Sequence, residues 1–474
     1  MVQYHLRLLT LVTKIHKGKK KKKRRREMQD KESAMSNPTP EPSRQHRISS
    51  MLLHPEITTP GPLHSQNGTL ANPGFMRTPL LGYDRSLIRA SSWRLKEWDY
   101  YLISDSSCAL CLTIADLGYA ALYSVSLIDL GSSTRILDPE TDNLGNIKPD
   151  TVPEGSKANS KTVSVIKPLT FGSTGLPTTS MEGITSVEHS KIRLRFVVTR
   201  NSDDDDEDDD DDEENQGRRK QGATTKRHLS VYVRDFFSRG KPLEAEITLD
   251  EEPRDSMVIA SPFANHPHSF FYNRKIVGMR ATGTLSLGGK GEGRKHVFDP
   301  EGGGALGLLD WGRGVWTRDN TWYWAAAHGY HHLEPQHSQN SEGEQSEKKE
   351  GKIVRIGFNL GYGFSDPSAA TENVFFVDGV GHKLDKIDFG IPDDDVPGKK
   401  PSFLKQWNFT SNDGRLEMTL TPIVDRADYI NLGLVVSDQH QIMGRCAGKV
   451  ILDDGSVLKF EDLLATAEKI RNKW

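Results

Sequence analysis

Aromatic and charged residues are concentrated in one short part of the chain. Four of the eight tryptophans fall within it, in the segments Leu309-Asp310-Trp311-Gly312-Arg313-Gly314-Val315-Trp316 and Thr321-Trp322-Tyr323-Trp324. In an extended strand Trp322 and Trp324 project to the same face, where two indoles form an aromatic wall. Asp310 and Arg313 are close enough in sequence to meet across a turn at Trp311-Gly312. The segment predicts a charged pair at the floor of an aromatic pocket, with Asp310 as an acid and with Arg313, Trp316, Trp322 and Trp324 binding a ligand.

A purely structural interpretation of the same segment stays open. Asp310 and Arg313 would then only lock a turn, and the tryptophans would fill the hydrophobic core. Residue types alone slightly favour this interpretation for the charged pair. For Trp322 and Trp324 we expect pocket lining, because two adjacent indoles are bulky for the filled interior of a β-barrel.

A second set of polar residues lies further along the chain. Asn359 falls on the face of a predicted strand opposite its two apolar neighbours, facing a barrel lumen or solvent, and a buried amide there needs a partner or a ligand. Tyr362, Glu372 and Asn373 complete the set, with Glu372 as a candidate acid and the other three as ligand-binding candidates. An exposed strand face followed by an ordinary Asx turn would explain the same residues without a ligand.

The histidine, cysteine and glycine patterns provide one further candidate for catalysis and no candidate metal or phosphate site. His268 precedes a predicted aromatic strand and is a candidate general acid or base. The run His328-Gly329-Tyr330-His331-His332 continues into a polar insertion, where no second shell would hold metal ligands. Cys108-Ala109-Leu110-Cys111 lies in an apolar run, so both cysteines are predicted to be core residues. The glycine-rich stretches lack the Gly-Lys-Ser/Thr ending of a phosphate loop. We therefore predict neither a metal nor a cofactor.

Alternating apolar and polar residues recur along the chain and indicate its fold class. They occupy residues 108–114, 119–128, 192–198, 229–233, 244–249, 279–287, 354–360, 415–420, 449–452 and 457–460. Gly, Asp, Asn or Pro stands in almost every break between these segments, which predicts an all-β protein of sandwich or barrel type. One helix is predicted over residues 461–474, because five apolar residues share one helical face: Leu463, Leu464, Ala467, Ile470 and Trp474.

Polar stretches divide the chain into parts. Residues 1–80 join a basic tract to a Ser-, Pro- and Asn-rich stretch and are predicted to be disordered. Three long insertions into surface turns are predicted at residues 138–161, 201–226 and 333–352. About 300 residues remain, which exceeds the usual size of one core. We therefore expect two β domains, residues 81–289 and residues 290–474, the second ending in the helix.

The charge balance excludes a generally basic nucleic-acid-binding protein. The chain holds 62 Lys+Arg and 65 Asp+Glu, and the tracts Lys17 to Arg26 and Asp203 to Glu214 distort this count. Outside the two tracts cations and acids are equal in number, so the folded body has no overall field that attracts nucleic acid. No stretch approaches the ~20 apolar residues of a membrane span. We expect a soluble intracellular protein, located in the cytoplasm or, if the basic tract acts in import, in the nucleus.

Several motifs resemble those of the family known as domain of unknown function 2804. They run from residue 82 to residue 474 and include Glu97-Trp98-Asp99-Tyr100-Tyr101, Asp116-Leu117-Gly118-Tyr119, Asn273-Arg274-Lys275, Leu309 to Trp316, Gly357-Phe358-Asn359-Leu360-Gly361 and Thr371-Glu372-Asn373. That family is distantly similar to tandem lipocalin-like proteins, which include carotenoid hydratases and fungal pericyclase-type cyclases. The resemblance implies two calycin-like β domains, of barrel or sandwich type, that lie face to face. It supplies no catalytic residue.

Two functions from different classes are consistent with these features. In the first, the chain binds or converts an apolar, lipid or terpenoid-like molecule between its domains, as a hydratase, isomerase or cyclase with Asp310, His268 or Glu372 as the acid. In the second, it is a non-catalytic interaction protein. Lys19 to Arg26 would then bind an importin-like acidic groove, and Asp203 to Glu214 would bind a basic partner.

Overall fold

A computed structural model gives the structure of the chain. It describes residues 55–130, 159–168, 183–200, 224–252, 254–288, 293–333, 352–394, 396–431, 433 and 435–473. The basic tract, the acidic run and most of the three predicted insertions lie outside these residues. Within them, no helix has both the length and the apolar character needed to cross a membrane.

Two antiparallel sheets, each curled into a half-barrel, make up nearly all of the described structure. The strands of the first half are β1 (Gly61–Pro62), β2 (Gly74–Met76), β3 (Leu81–Gly82), β4 (Leu95–Ser104), β5 (Cys108–Asp116), β6 (Ala120–Asp129), β7 (Asn159–Pro168), β8 (Gly183–Glu188), β9 (Ile192–Arg200), β10 (Thr225–Val233), β11 (Leu243–Glu251), β12 (Met257–Phe263), β13 (His266–Leu287), β14 (Arg294–Phe298) and β15 (Leu306–Val315). Two short 3-10 helices, Arg85–Leu87 and Ser92–Arg94, precede β4.

The first sheet has 13 strands, and its main path runs β7-β6-β5-β4-β15-β13-β11-β10-β9-β8. Strands β12 and β14 pair with β13, and β2 pairs with β12, while β1 and β3 form a separate parallel pair. The long strand β13 therefore pairs with four other strands of this sheet: β11, β12, β14 and β15.

The second sheet has 10 strands and follows the first in sequence. Its strands are β16 (Asp319–Leu333), β17 (Lys352–Tyr362), β18 (Val374–Val377), β19 (Val380–Lys383), β20 (Ile387–Asp388), β21 (Trp407–Ser411), β22 (Leu416–Asp425), β23 (Asp428–Asn431), β24 (Val436–Ile451) and β25 (Val457–Lys473). The path runs β19-β18-β17-β16-β25-β24-β22-β21-β20, and β23 pairs with β24.

Three hydrophobic clusters fill the two half-barrels and hold the two sheets against each other. One cluster fills the inside of the first half-barrel and a second fills the inside of the other. The third, which we call the interface cluster, combines residues of both sheets, such as Leu308 and Phe271 of the first with Trp324 and Ala326 of the second. Leu308 points to this cluster while its neighbour Leu309 points into the first half-barrel. The strands at the interface are therefore buried on both faces.

The all-β prediction is confirmed, and so is the hairpin around the acidic run. Strands β9 and β10 pair antiparallel over their whole lengths, with Val198 opposite Arg227. Cys108 and Cys111 are buried and free, as predicted for core residues.

The predicted C-terminal helix is wrong, because residues 457–473 form the strand β25. This strand lies between β16 and β24 and pairs with both of them. Leu463 and Ala465 face the inside of the second half-barrel, whereas Leu464 faces the interface cluster. A register shift opposite Cys446/Gly448 leaves residues 461 and 462 unpaired. Burial on both faces and this bulge remove the period-two signal and leave a spacing that imitates a helix.

Residues 55–80 also differ from the prediction of disorder. Leu63 and Met76 are fully buried against the first half-barrel, and β2 continues the sheet beyond β12. A few well-placed apolar residues therefore order a segment whose average composition is polar. The change of sheet comes between Val315 and Asp319, so β14 and β15, which span Arg294–Phe298 and Leu306–Val315, belong to the first sheet and not to the second. How the chain divides into domains remains a prediction.

Asp462 provides a test of the strand at the C-terminus. Its φ of 54° lies in the left-handed region, which glycine adopts without strain. Asp462→Gly should leave the melting temperature unchanged or slightly higher, whereas Asp462→Val should cost about 1–2 kcal/mol. Thermal unfolding followed by circular dichroism measures both changes. In a helix the order would reverse, because valine is a better helix former than glycine, and that order would contradict the strand.

Candidate functional site between the two sheets

Buried charged residues are collected at the interface cluster around Lys275 and Asp310. Lys275 on β13 is only 1% exposed, and its Nζ lies 2.5 Å from Oδ2 of Asp310 on β15. The other carboxylate oxygen of Asp310 accepts hydrogen bonds from Trp98 Nε1 at 3.0 Å and Asn273 Nδ2 at 2.9 Å. Antiparallel pairing of β13 with β15 puts Lys275 directly opposite Asp310. Strand register alone therefore brings the ion pair together.

Gly312 makes room for one of these donors. A Cβ atom on Gly312 would lie 2.1 Å from Cζ2 of the Trp98 indole, far inside van der Waals contact. The indole thus rests on the bare backbone of β15 and can reach Asp310. The glycine of the Asp-Trp-Gly-Arg segment is required by this close approach and not by a turn.

Glu372 brings a second carboxyl group to the same place from the other sheet. Its residue is 2% exposed, and among the described residues the Asn359 amide alone is placed to hydrogen-bond its carboxyl group. The flanking residues fix the loop, because Asn373 Oδ1 accepts from the Gly361 backbone N–H at 2.7 Å and Lys383 Nζ donates to Thr371 Oγ1 at 2.6 Å. The carboxyl group lies over Gly361, where a Cβ atom would be 1.9 Å from Oε1. The Thr371-Glu372-Asn373 motif therefore holds one acid in a buried position.

The electrostatics of the site favour a protonated carboxyl group near neutral pH. Burial raises the pKa of Glu372 to about 7, and the Asp310 carboxylate adds to this, while the ammonium groups of Lys275 and Lys383 and a hydrogen bond from Asn359 oppose it. Burial likewise raises the pKa of Glu468 on β25, although hydrogen bonds from Gln441 and Trp322 lower it. The Lys275 ammonium and the Asp310 carboxylate thus act on both Glu372 and Glu468, the ammonium lowering and the carboxylate raising each pKa.

Indoles and an amide form the apolar side of the site. Trp324 packs under the Lys275 ammonium, with 4.5 Å between Nζ and the ring centroid, and its Nε1 donates to Asn359 Oδ1 at 2.8 Å. Trp322 donates to Glu468 Oε1 at 3.0 Å and lies 5.2 Å from the Trp316 ring. Trp322 and Trp324 do share one strand face, as predicted, and that face points to the interface cluster. Asn359 faces neither lumen nor solvent, since it is fully buried at this same interface.

The predicted contact between Asp310 and Arg313 does not form. Strand β15 runs without a turn through both residues, and residues three positions apart in a strand point to opposite faces. Arg313 points into the first half-barrel, where its guanidinium lies 3.1 Å from Asp99 Oδ1 and stacks on Trp311. The two residues therefore belong to separate ion-pair networks.

The remaining predicted residues lie apart from Lys275 or support it indirectly. Tyr362 stacks on Tyr323 at 4.3 Å, beside the core of the second half-barrel. His268 is exposed at the start of β13, with Nδ1 3.5 Å from the Gly68 carbonyl oxygen. Asn373 positions the Glu372 loop through its bonds to Gly361 and to the Asp385 carbonyl. The structure thus brings together Asp310, Glu372, Asn359 and three tryptophans.

Sequence reasoning missed three charged or aromatic members of the site. Lys275 lies in a long strand whose burial on both faces hides any alternation, and Glu468 lies in the segment predicted to be a helix. Trp98 precedes an acid in a strand, with nothing local to connect it to Asp310, 212 residues away. The motif Asn273-Arg274-Lys275 was the only signal available for the lysine.

One group within the described residues has ligand atoms close enough for a metal ion. Asp105, Cys108 and His296 offer atoms that all lie within 4.8 Å of one another. His296 Nε2 is already 2.6 Å from Asp105 Oδ2, and the other carboxylate oxygen accepts from the Ser107 and Cys108 backbone. Burial also raises the pKa of the Cys108 thiol well above its usual range, which disfavours the thiolate a metal needs. These residues fit a hydrogen-bonded turn better than a metal centre.

The chain belongs to the family described as domain of unknown function (DUF2804), whose profile matches residues 54–474. Among solved structures it is similar to the crystal structure of CghA with Sch210972, at 11% sequence identity and a TM-score of 0.35, over 87% of this chain and 97% of that chain. It is also similar to the crystal structure of CghA at 9% identity and a TM-score of 0.32, with the same coverage. No curated protein matches its sequence.

Asp310→Asn tests the buried ion pair. The substitution leaves the Lys275 ammonium buried without its carboxylate and should cost about 3–5 kcal/mol. Adding Lys275→Met should restore part of this loss, and chemical denaturation of the two single variants and the double variant measures the coupling. Asp319→Asn is the matched control, because its partner Arg471 is exposed, and it should change stability by less than about 1 kcal/mol. Additive losses in the double variant would contradict a coupled pair.

Glu372→Gln tests the raised pKa. Because the folded state holds this proton up to about pH 7 and the unfolded carboxyl releases it near 4.5, wild-type stability falls as the pH rises between these values. The variant has no such loss, so its stability relative to wild type should grow by up to about 3 kcal/mol across this window and then level off. Thermal unfolding at a series of pH values measures the difference. Exposed Glu417→Gln should show no such gain, and a flat difference for Glu372→Gln would refute the raised pKa.

Proposed function

We propose that this member of the DUF2804 family binds an apolar small molecule between its two sheets, and that Glu372 acts on it as a general acid. One observation carries the proposal: a buried carboxyl group, whose only hydrogen-bonding neighbour in the described structure is the Asn359 amide, lies beside the Lys275–Asp310 pair and a group of indoles. A buried carboxyl group with so few partners destabilises the fold, so its retention needs a reason.

The roles of the other residues follow from their contacts. Lys275 and Asp310 set the local field, while Trp316, Trp322 and Trp324 provide the apolar surface on which a ligand would lie. Trp98, Tyr100 and Trp322 are only partly buried where they pack against the interface cluster, so a ligand would approach the site past these side chains. Indole faces also stabilise a positive charge that develops next to them.

The chemistry supported best is protonation of a carbon–carbon double bond. The Glu372 O–H bond would break as a C–H bond forms on the substrate, leaving a cation over the indoles. Loss of a neighbouring proton to the Glu372 carboxylate completes an isomerisation or a cyclisation. Addition of water, followed by transfer of its proton to the same carboxylate, completes a hydration.

The interaction-protein hypothesis rests on other parts of the chain. Its two tracts, Lys19 to Arg26 and Asp203 to Glu214, lie outside the described residues, and it remains a prediction. No contact within the described ranges favours it over the small-molecule site.

Binding of the neutral dye Nile red, read as its rise in fluorescence, tests the site without knowledge of the substrate. Trp316→Ala should weaken binding roughly tenfold, because it removes a large part of the apolar contact. Trp93→Phe is the control, since Trp93 packs against Tyr119 away from the interface cluster. Glu372→Gln should keep dye binding, because it removes only the acid.

Native mass spectrometry of the purified protein, followed by extraction, tests whether a ligand is retained. Conversion of an extracted compound, followed by its mass or retention time, should be lost in Glu372→Gln and kept in Trp93→Phe. The absence of both a retained ligand and dye binding would refute the small-molecule site. Conversion that survives in Glu372→Gln would refute the role of the acid alone.

A further inference from the structure

Arg426 reaches from the second sheet to the outer face of the first. It follows β22, and its backbone N–H donates to the Gln441 carbonyl oxygen at 2.8 Å, which fixes it beside β24. Its Nη2 donates to Ser126 Oγ on β6 at 2.8 Å, and its Nη1 lies 3.7 Å from Cys111 Sγ on β5. The guanidinium therefore lies in the space between the sheets, where Cys111 is part of the interface cluster.

No carboxylate forms an ion pair with this guanidinium within the described structure. Its hydrogen bonds there go to a hydroxyl and a thiol, both neutral, while the adjacent Asp425 bonds His440 at 2.7 Å through Oδ2 and keeps a buried, unbonded Oδ1. The Nε atom is buried and has no hydrogen-bond partner among the described residues. A guanidinium carries five N–H donors in a planar fork, so the edge formed by Nε and one Nη remains able to bind an acceptor. Two parallel donors of this kind match the two oxygens of a carboxylate.

The arginine is continuous with the proposed site through Tyr100. Burial raises the pKa of Tyr100 well above its usual range, with Cys111 adding to this and the Arg426 cation opposing it, so the phenol lies close to both. The Tyr100 ring packs edge-on against Trp324 at 6.1 Å, and Trp324 carries the Lys275 ammonium on its face. A ligand lying on Trp324 and Tyr100 would therefore have Arg426 near one end and the Lys275 and Asp310 pair near the other.

We propose that Arg426 binds the carboxylate of an acidic apolar ligand, whose apolar body lies against Tyr100 and Trp324. This inference rests on the proposed function and narrows its substrate class to apolar carboxylic acids. A single guanidinium matches the single charge of a carboxylate, whereas a phosphate site gathers several cations or backbone N–H groups. The ligand would supply the acceptor that the buried Nε lacks.

Binding of a fluorescent polyene acid and of its methyl ester to the full-length protein separates charge from apolar contact. The probes are cis-parinaric acid and methyl cis-parinarate at pH 8, where the acid is ionised, with energy transfer from tryptophan as the signal. The wild-type protein should bind the acid roughly tenfold or more tightly than the ester. Arg426→Gln should reduce the affinity for the acid to that for the ester, which itself should stay unchanged.

Two further variants make the test specific. Arg445→Gln is the control, because Arg445 pairs with the exposed Asp462 and should leave the preference for the acid intact. Arg426→Lys keeps the charge but loses the fork, so the preference should fall severalfold without disappearing. If Arg426→Gln does not fold, the acid and ester affinities of Arg426→Lys are compared with those of the wild-type protein instead.

Each contrary outcome has its own meaning. Equal binding of acid and ester by the wild-type protein would overturn this inference and leave the proposed function standing. Equal weakening of both probes in Arg426→Gln would show that the arginine only braces the sheets, and would also overturn it. If neither probe binds, this inference is overturned, and Nile red binding together with the search for a retained ligand decides whether the proposed function stands.

Discussion

The packing of the two curled sheets through their outer faces is the constraint on which the rest of the structure depends. It buries strands such as β13, β15, β16 and β25 on both sides, so polar side chains between the sheets must find partners there. Lys275 meets this condition through Asp310, and Asn359 meets it through Trp324 and the Glu372 carbonyl oxygen. Close packing between the sheets also requires glycines. Gly312 and Gly361 leave space for side chains that would otherwise collide with the strand.

The same constraint explains how much of the fold the sequence predicts. Strands with one buried face alternate clearly, and the hairpin of β9 and β10, with Ile192 and Leu194 buried and Arg193 and Arg195 exposed, is predicted correctly. In β25 residues 457–460 alternate, but Leu463, Leu464 and Ala465 are consecutive and all buried, so the period of two is lost in the second part of the strand. A helical spacing then emerges by accident, and only the partners on either side, which lie far away in sequence, decide in favour of a strand.

The site shows a similar division between what residue types reveal and what only contacts reveal. Tryptophans on alternate positions predict a shared face whatever the sheet packs against, so Trp322 and Trp324 are placed correctly on one face. Residue types do not identify the partner of Asp310. Arg313 follows it by three residues, and this spacing predicts a contact only if the chain turns between them. Instead, Asp310 is paired with Lys275 by the register of β15 on β13, and local sequence does not encode that register.

The composition of the interface argues against a purely structural role for its charges. Replacing a buried ion pair by apolar residues of similar volume is often neutral or stabilising, so packing alone does not require Lys275 and Asp310. Glu372 is harder still to explain by stability, since burial of its carboxyl group costs free energy that its one neighbouring donor in the described structure, the Asn359 amide, offsets only in part. Its neighbours nevertheless hold it in place, through Asn373, Thr371 and a glycine beneath it. A fold that departs from its most stable packing at one place, with a dedicated support for the unfavourable group, is the pattern expected where function opposes stability.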